Sequence, residues 1–227
     1  MKYLILGDGI LSKELVKQTN WKYISRKKNN ININNFDELK NYLNPYDIII
    51  NTITYTNTYD MNKKKHWNTN YKFVSNLVDY CNENNKKLVH FSTDYVYTNS
   101  IDNVSEIDIP IHGNNWYSYT KLLADAYIEL KSNNYLIIRG THKEKPFKYN
   151  NAWIDQFGNF DYVDIMCNYY IPLIIKYNGI YNVGTNIKSI YELAYQTNKN
   201  VKPKYKPSYV PNKIILNLNK LKNIKIK

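Results

Sequence analysis

An apolar run, a glycine turn and a helical pattern follow one another without a break at the start of this chain. Residues 2–6 read as a short buried strand. They run into Gly7-Asp8-Gly9-Ile10-Leu11-Ser12, and Leu11, Leu15 and Val16 then recur at helical spacing. Strand, glycine turn and helix in that order are the context a dinucleotide fingerprint requires. Gly7 permits the tight turn and Gly9 lets the backbone approach a pyrophosphate. The helix N-terminus at Ile10 and Leu11 receives the negative charge. Ser12 stands where a third glycine usually allows close helix–strand packing, and serine is small enough to serve.

The same rhythm repeats downstream. Residues 21–25 form a candidate second strand that ends in Ser25-Arg26-Lys27-Lys28 rather than in an acid. Cations at that place, here Arg26 and Lys27, suit a 2′-phosphate and favour NADPH, with NADH still admissible. A solvated basic turn is the plainer reading. A helix is expected over 36–43, started by Asn34 or Asn35. The run 48–51 reads as a central parallel strand, with Asn51 and Thr52 at the end where α/β sheets place ligands. A long helix over 63–80 buries Phe73, Val74, Leu77 and Val78, and 88–91 is the next strand. A polar loop spans 101–115. A helix over 116–130 turns Leu122, Leu123, Ala126 and Leu130 inward, and a strand follows over 135–139. This alternation predicts an α/β fold, a Rossmann-type doubly wound parallel sheet. Beyond Thr141 the pattern loosens. Residues 162–175 are helical until Pro172 interrupts them, 180–183 form a strand, Ser189 caps a helix over 190–197, and 214–218 are strand or helix. The expected organisation is a dinucleotide-binding domain over 1–142 and a small, reduced C-terminal substrate lobe over 143–227, interwoven with the end of the sheet.

A chain of 227 residues carries one such domain with an appendage. Its apolar runs are strand-sized, so neither a leader nor a membrane span is expected. Cys81 and Cys167 make no scaffold or metal motif, and a metal is not expected. They fit a reducing compartment: the cytoplasm, or the host cytoplasm for a viral protein. The net charge of +12 comes from 31 lysines and arginines against 19 acids, and fits a chain-wide skew toward lysine, asparagine, tyrosine and isoleucine more than a patch built for an anionic partner. After Glu192 the chain has lysines and no acid, and this basic tail suits either nucleic acid or the rim of a phosphorylated ligand.

The chemistry concentrates in two stretches, His90-Phe91-Ser92-Thr93-Asp94-Tyr95-Val96-Tyr97 and Tyr117-Ser118-Tyr119-Thr120-Lys121. The first leaves a strand and the second opens a helix. Lys121 lies one turn beyond Tyr117 on the same face. An ammonium there is expected to lower the phenol pKa, and the tyrosine then exchanges a proton with a carbonyl oxygen as hydride reaches its carbon. Lys121 also reaches the nicotinamide ribose. Thr93, ahead of Ser92, holds the substrate oxygen. The YxxxK spacing alone is weak, since Tyr23 with Lys27 and Tyr59 with Lys63 share it among 24 tyrosines. His90 reads as structural.

These pieces, with Asp47-Ile48-Ile49-Ile50-Asn51, Tyr55-Thr56, Asn70 and Ile138-Arg139, resemble an extended short-chain dehydrogenase/reductase of the dTDP-4-dehydrorhamnose reductase family. The Ser92-Thr93-Asp94-Tyr95-Val96 stretch is the most specific. The resemblance resumes weakly at Tyr162-Val163-Asp164 and over 179–184. It implies that Thr93, Tyr117 and Lys121 are catalytic. It also implies reduction of the 4-keto group of a nucleotide-linked 4-keto-6-deoxyhexose, on UDP or dTDP and rhamnose-type or 2-acetamido, with epimerisation in some relatives. A homodimer, or a partnering epimerase or dehydratase, is within what the resemblance allows. The chain departs from the family in its compact GxGxxS turn and in a shortened 139–162 segment. Two other readings stay open: a non-catalytic dinucleotide-binding regulatory or scaffold subunit, and a nucleic-acid-binding protein acting through the basic tail, the latter ranked last.

Overall fold

The computed structural model describes residues 1–224, so Lys225 and Lys227 of the basic tail lie outside the described residues. In chain order come β1 (Tyr3–Leu6), α1 (Ile10–Thr19), β2 (Lys22–Ile24), α2 (Arg26–Asn29), α3 (Phe36–Leu43) and β3 (Ile48–Asn51). Next, α4 (Lys63–His66) passes through a π-helical stretch, Trp67–Lys72, into α5 (Phe73–Glu83). Then follow β4 (Lys87–Phe91), a 3₁₀ turn (Asp94–Tyr97), α6 (Trp116–Lys131), β5 (Tyr135–Arg139), β6 (His142–Lys143), β7 (Asn151–Trp153), β8 (Phe157–Gly158) and β9 (Asp161–Tyr162). The chain closes with α7 (Val163–Lys176), β10 (Gly179–Asn182), β11 (Lys188–Ser189), α8 (Ile190–Thr197), β12 (Lys202–Lys204), β13 (Lys213–Ile214) and α9 (Asn219–Lys222).

Six strands form one sheet in the order β10-β5-β4-β3-β1-β2. Every neighbouring pair in it is parallel. After β1 the chain adds β2 on one side and β3 on the other, so the crevice outside the carboxyl ends of β1 and β3 is the switch point of a doubly wound fold. Successive strand residues face opposite layers. Leu4, Leu6, Ile49, Leu88 and Ile137 pack with α3, α5 and α6. Ile5, Ile50, Val89, Leu136 and Ile138 pack with α1 and α7. Both faces are covered, which is why these strands read as unbroken apolar runs.

Three expectations need correction. The helix over 63–80 is longer and carries the π-helical stretch, an inserted register that helical periodicity does not reveal. On α6 the buried face is Ser118, Thr120, Lys121, Ala124, Asp125 and Ile128, whereas Leu130 is 81% exposed. The helix turns polar groups inward because they find partners on β4 and β5. Finally, α7 does not stop at Pro172 but continues to Lys176. Proline in a helix interior costs about 3 kcal/mol. Burial of Met166, Tyr170, Leu173 and Ile174 along one stripe offsets this, at roughly 1.5–3 kcal/mol per large apolar side chain.

The C-terminal part has its own small core, in which Phe147, Phe160 and Tyr162 pack against Ile190, Leu193 and Val201. Ser189 and Glu192 form the capping box that starts α8. The segment left open between strand and helix resolves as β13 plus a bridge from Leu216 to Val104. Through β10 and α7 the same part also completes the main sheet and covers it. Among the described residues of the basic tail, Lys213 pairs with Asp102 and Lys220 donates to the Ile180 carbonyl at 2.8 Å, while Lys199, Lys202 and Lys204 are exposed.

Candidate active site

The glycine turn sits at the switch point. Gly7 has φ +119°, a conformation side chains avoid, and an added Cβ would lie 2.7 Å from Thr52 Oγ1. Thr52 donates to the Leu6 carbonyl at 2.7 Å and pairs with Ser12 Oγ at 2.6 Å, so β1, β3 and α1 are tied together at this turn. Ser12 thereby fills the third-glycine position with a bond. Gly9 begins α1 without a side-chain cap, and a Cβ there would meet nothing within 4 Å. The amides of Ile10 and Leu11 therefore open the helix toward free space, where an anion is favoured. The Leu11 side chain itself is in the core, so only its backbone faces outward.

Ser25 caps α2, accepting from the Lys28 amide at 3.1 Å. Lys28 lies over the Tyr23 ring, 4.0 Å from its centre, while Arg26 and Lys27 remain exposed beside the end of β2. Asn51 behaves differently from the expectation. It is buried, with Oδ1 accepting from the Ile53 amide at 3.0 Å and Nδ2 lying 3.2 Å from His90 Nδ1. Its amide serves the interior of the sheet rather than the crevice.

The two polar stretches meet. Thr93 follows β4, accepts from the Tyr95 amide at 3.2 Å and donates to Asp94 Oδ1 at 3.2 Å. The Tyr117 hydroxyl stands beside the Thr93 hydroxyl. Burial pushes this phenol up to about 12, and Thr93 opposes the shift only in part. Lys121 is fully buried, with Nζ donating to the Phe91 carbonyl at 2.7 Å and lying 2.9 Å from His90 Nε2. Burial brings its pKa down to about 8, with Asp125 acting the other way. The expectation that Lys121 lowers the Tyr117 pKa is thus overturned in this state: the amine is turned to the end of β4 and desolvation governs both groups.

Ser92 is set apart from Thr93. Its hydroxyl donates to Asp125 Oδ2 at 2.9 Å, the oxygen that also accepts from Arg139 Nε at 2.9 Å. Arg139 reaches on to Tyr97 at 2.6 Å. Ser92 belongs to this buried ion-pair network and Thr93 to the site. Asn70, on the π-helical stretch, accepts from the Tyr55 amide at 2.8 Å and donates to its carbonyl at 3.2 Å, which fixes the segment after β3. π-Helical insertions recur at functional sites.

Residues outside the expected set complete the surroundings. Gln156 donates to Tyr95 OH at 3.2 Å, and Tyr59 approaches the same oxygen. Asp94, Tyr95, Thr141, Lys143 and Gln156 line a cleft between the sheet and the C-terminal lobe. Asp94, held by Thr141 at 2.6 Å, is raised by burial. Lys143 is lowered by burial, with Asp94 opposing. Asp94 and Tyr95 stood in a stretch that drew attention in the sequence; Lys143 and Gln156 come from the aperiodic segment and carried no signal.

A Rossmann-type parallel sheet with a glycine turn at its switch point, and with Thr93 after β4 and Tyr117 in the first turn of α6, defines the class. The sequence matches the RmlD substrate binding domain family over residues 1–142, and the chain belongs to that family. A comparison with curated protein sequences returns no match. Among solved structures, the chain resembles a dTDP-4-dehydrorhamnose reductase from Clostridium acetobutylicum, at 21% identity and TM-score 0.81 over 97% of this chain and 91% of the other. A hypothetical dTDP-4-dehydrorhamnose reductase from Sulfolobus tokodaii gives 22% and 0.83, over 99% and 94%. The Bacillus anthracis dTDP-4-dehydrorhamnose reductase, solved in complex with NADP, gives 23% and 0.78, over 98% and 91%. No helix among the described residues is long and apolar enough to cross a membrane.

Proposed function

We propose that this protein is an NADPH-preferring 4-reductase of a nucleotide-linked 4-keto-6-deoxyhexose. The observation that carries the reading is that the turn capped by Thr93 at the carboxyl end of β4 packs against the first turn of α6, with the Tyr117 ring centre 6.2 Å from that of Tyr95. The residues present fit a dinucleotide: Gly9 leaves open space at the start of α1, and the Ile10 and Leu11 amides have no side-chain cap to bind. Arg26 and Lys27 stand free where a 2′-phosphate would need cations, and Lys121 is the nearby amine for a ribose. When bound, the reduced nicotinamide supplies hydride to the ketone carbon. Tyr117 is a phenol that stays protonated at neutral pH, as an acid acting on the nascent alkoxide must be. Thr93 is placed to donate a second hydrogen bond to that oxygen, releasing Asp94 to do so. NADH is accommodated less well. A homodimer or a pathway partner is compatible with this reading.

Incubation with NADPH and a panel of UDP- and dTDP-linked 4-keto-6-deoxy sugars tests the activity. Cofactor oxidation with at least one of them supports the reading, and none with any member favours a non-catalytic subunit. Two sets of variants test the roles. Arg26→Ala is expected to weaken NADPH about tenfold or more while leaving NADH nearly unchanged, as titration of both cofactors would register. Thr93→Ala is expected to lower kcat on the order of 100-fold, the loss seen when one donor to a developing oxyanion is removed. Ser92→Ala should instead leave turnover near wild type and cost roughly 1 kcal/mol of stability. Similar kinetic losses in both would contradict the division between them.

A further inference from the structure

The cleft between the sheet and the C-terminal lobe presents donors without matching acceptors. Lys143 reaches it from β6, which pairing with β9 holds in place. Among the described residues its amine makes no hydrogen bond or ion pair, and it is the one cation lining the cleft. Asp94 is the acid that faces it, yet Asp94 Oδ1 already accepts from Thr93 at 3.2 Å and from Thr141 at 2.6 Å. Tyr95 brings a second donor. Its hydroxyl oxygen accepts from Gln156 at 3.2 Å, and the Tyr59 oxygen lies 3.5 Å away, at the outer limit of a hydrogen bond. Burial keeps this phenol protonated, so its O–H remains to be given. An ammonium and a phenol O–H are matched by a group that accepts. A charged acceptor makes the stronger bond, and it compensates an ammonium that burial alone disfavours.

We propose that Lys143 and Tyr95 bind the diphosphate of the nucleotide sugar and seat its sugar against Tyr117. The position of the cleft separates this anion from the cofactor's own pyrophosphate. Tyr95 follows β4 and Lys143 follows β5, whereas the glycine turn follows β1, and β3 lies between β1 and β4. The same position brings the anion to the reacting groups, because the Tyr95 ring centre is 6.2 Å from that of Tyr117. Phe157, Phe160 and Ile214 make the facing wall apolar, so the polar contacts of a bound phosphate fall to Lys143 and Tyr95. Lys143 belongs to the aperiodic segment, and nothing sets it apart among the lysines of this sequence. The identity of the anion rests on the reductase reading; the unmatched donors are a property of the free protein.

The test is isothermal titration of UDP and of dTDP into the full-length protein saturated with NADPH, which keeps the added diphosphate from the glycine turn. Wild type is expected to bind at least one of the two. Lys143→Met should weaken that nucleotide about tenfold or more, and Tyr95→Phe, which removes one oxygen, about threefold or more. The dissociation constant for NADPH, titrated separately, should stay close to wild type in both variants. Three results overturn the proposal: no binding of UDP or dTDP by wild type, equal nucleotide affinity in wild type and Lys143→Met, or a matching loss of NADPH affinity. Should Lys143→Met fail to fold, Tyr95→Phe decides, and an unchanged affinity there overturns the proposal by itself. No turnover is read. A Lys143-dependent diphosphate site in a protein that reduces no keto sugar, and an active reductase indifferent to Lys143, are therefore separate outcomes.

Discussion

Tyr117→Phe is expected to lower kcat by about 1,000-fold, within the range a positioned general acid contributes, while the dissociation constant for NADPH stays close to wild type. The substitution removes one oxygen and nothing that shapes the glycine turn, where Gly7, Thr52 and Ser12 are tied together at a distance in sequence from α6. The affected group is the phenol beside Thr93, protonated at neutral pH because burial carries it to about 12. Single-turnover measurement with saturating NADPH separates the chemical step from binding. Turnover equal to wild type would remove Tyr117 from the chemistry. A parallel loss of NADPH affinity would make it a binding residue instead.

The second large effect concerns stability. Arg139 and Asp125 are 2% and 0% exposed, joined at 2.9 Å, with Ser92 and Tyr97 completing the network. Arg139→Leu strands a buried carboxylate, one oxygen of which already lacks a partner. The expected loss is about 3–5 kcal/mol, enough to lower the melting temperature by roughly 10 °C in a chain of this size. Asp125→Leu combined with Arg139→Leu should recover much of that loss, since replacing both partners removes the uncompensated charge. Denaturant unfolding of the single and double variants measures the coupling. Additive losses would show that the pair is not acting as a unit.

What the sequence disclosed was whatever depends on neighbours along the chain. The apolar runs at Ile48–Asn51 and Lys87–Phe91, the Ser189–Glu192 cap, and the glycine turn before α1 are each written in a few consecutive residues, and each forms as expected. What depends on partners far apart did not show. The inward face of α6 is polar because Lys121 and Asp125 meet β4 and β5, so a count of leucines on that helix pointed the wrong way. Pro172 reads locally as a stop, and only the buried stripe on the sheet explains why α7 continues. Within the site, Tyr117 and Thr93 were legible from their stretches. Their electrostatics were not, since the expected lysine effect on the phenol depends on where Nζ points, and His90 and Phe91 hold it elsewhere. Lys143 and Gln156 come from a segment without periodicity, which only the folded lobe brings to the cleft.

In the proposed reaction hydride reaches the C4 carbon of a nucleotide sugar while Tyr117 protonates its oxygen. Turnover of a 4-keto-6-deoxy nucleotide sugar with NADPH deuterated at the nicotinamide C4, followed by NMR of the product, addresses this most directly. The expected product carries one deuterium at sugar C4 and a new hydroxyl on the same carbon, and both are lost in Tyr117→Phe. A product without deuterium at C4, or one formed equally well by Tyr117→Phe, would contradict it.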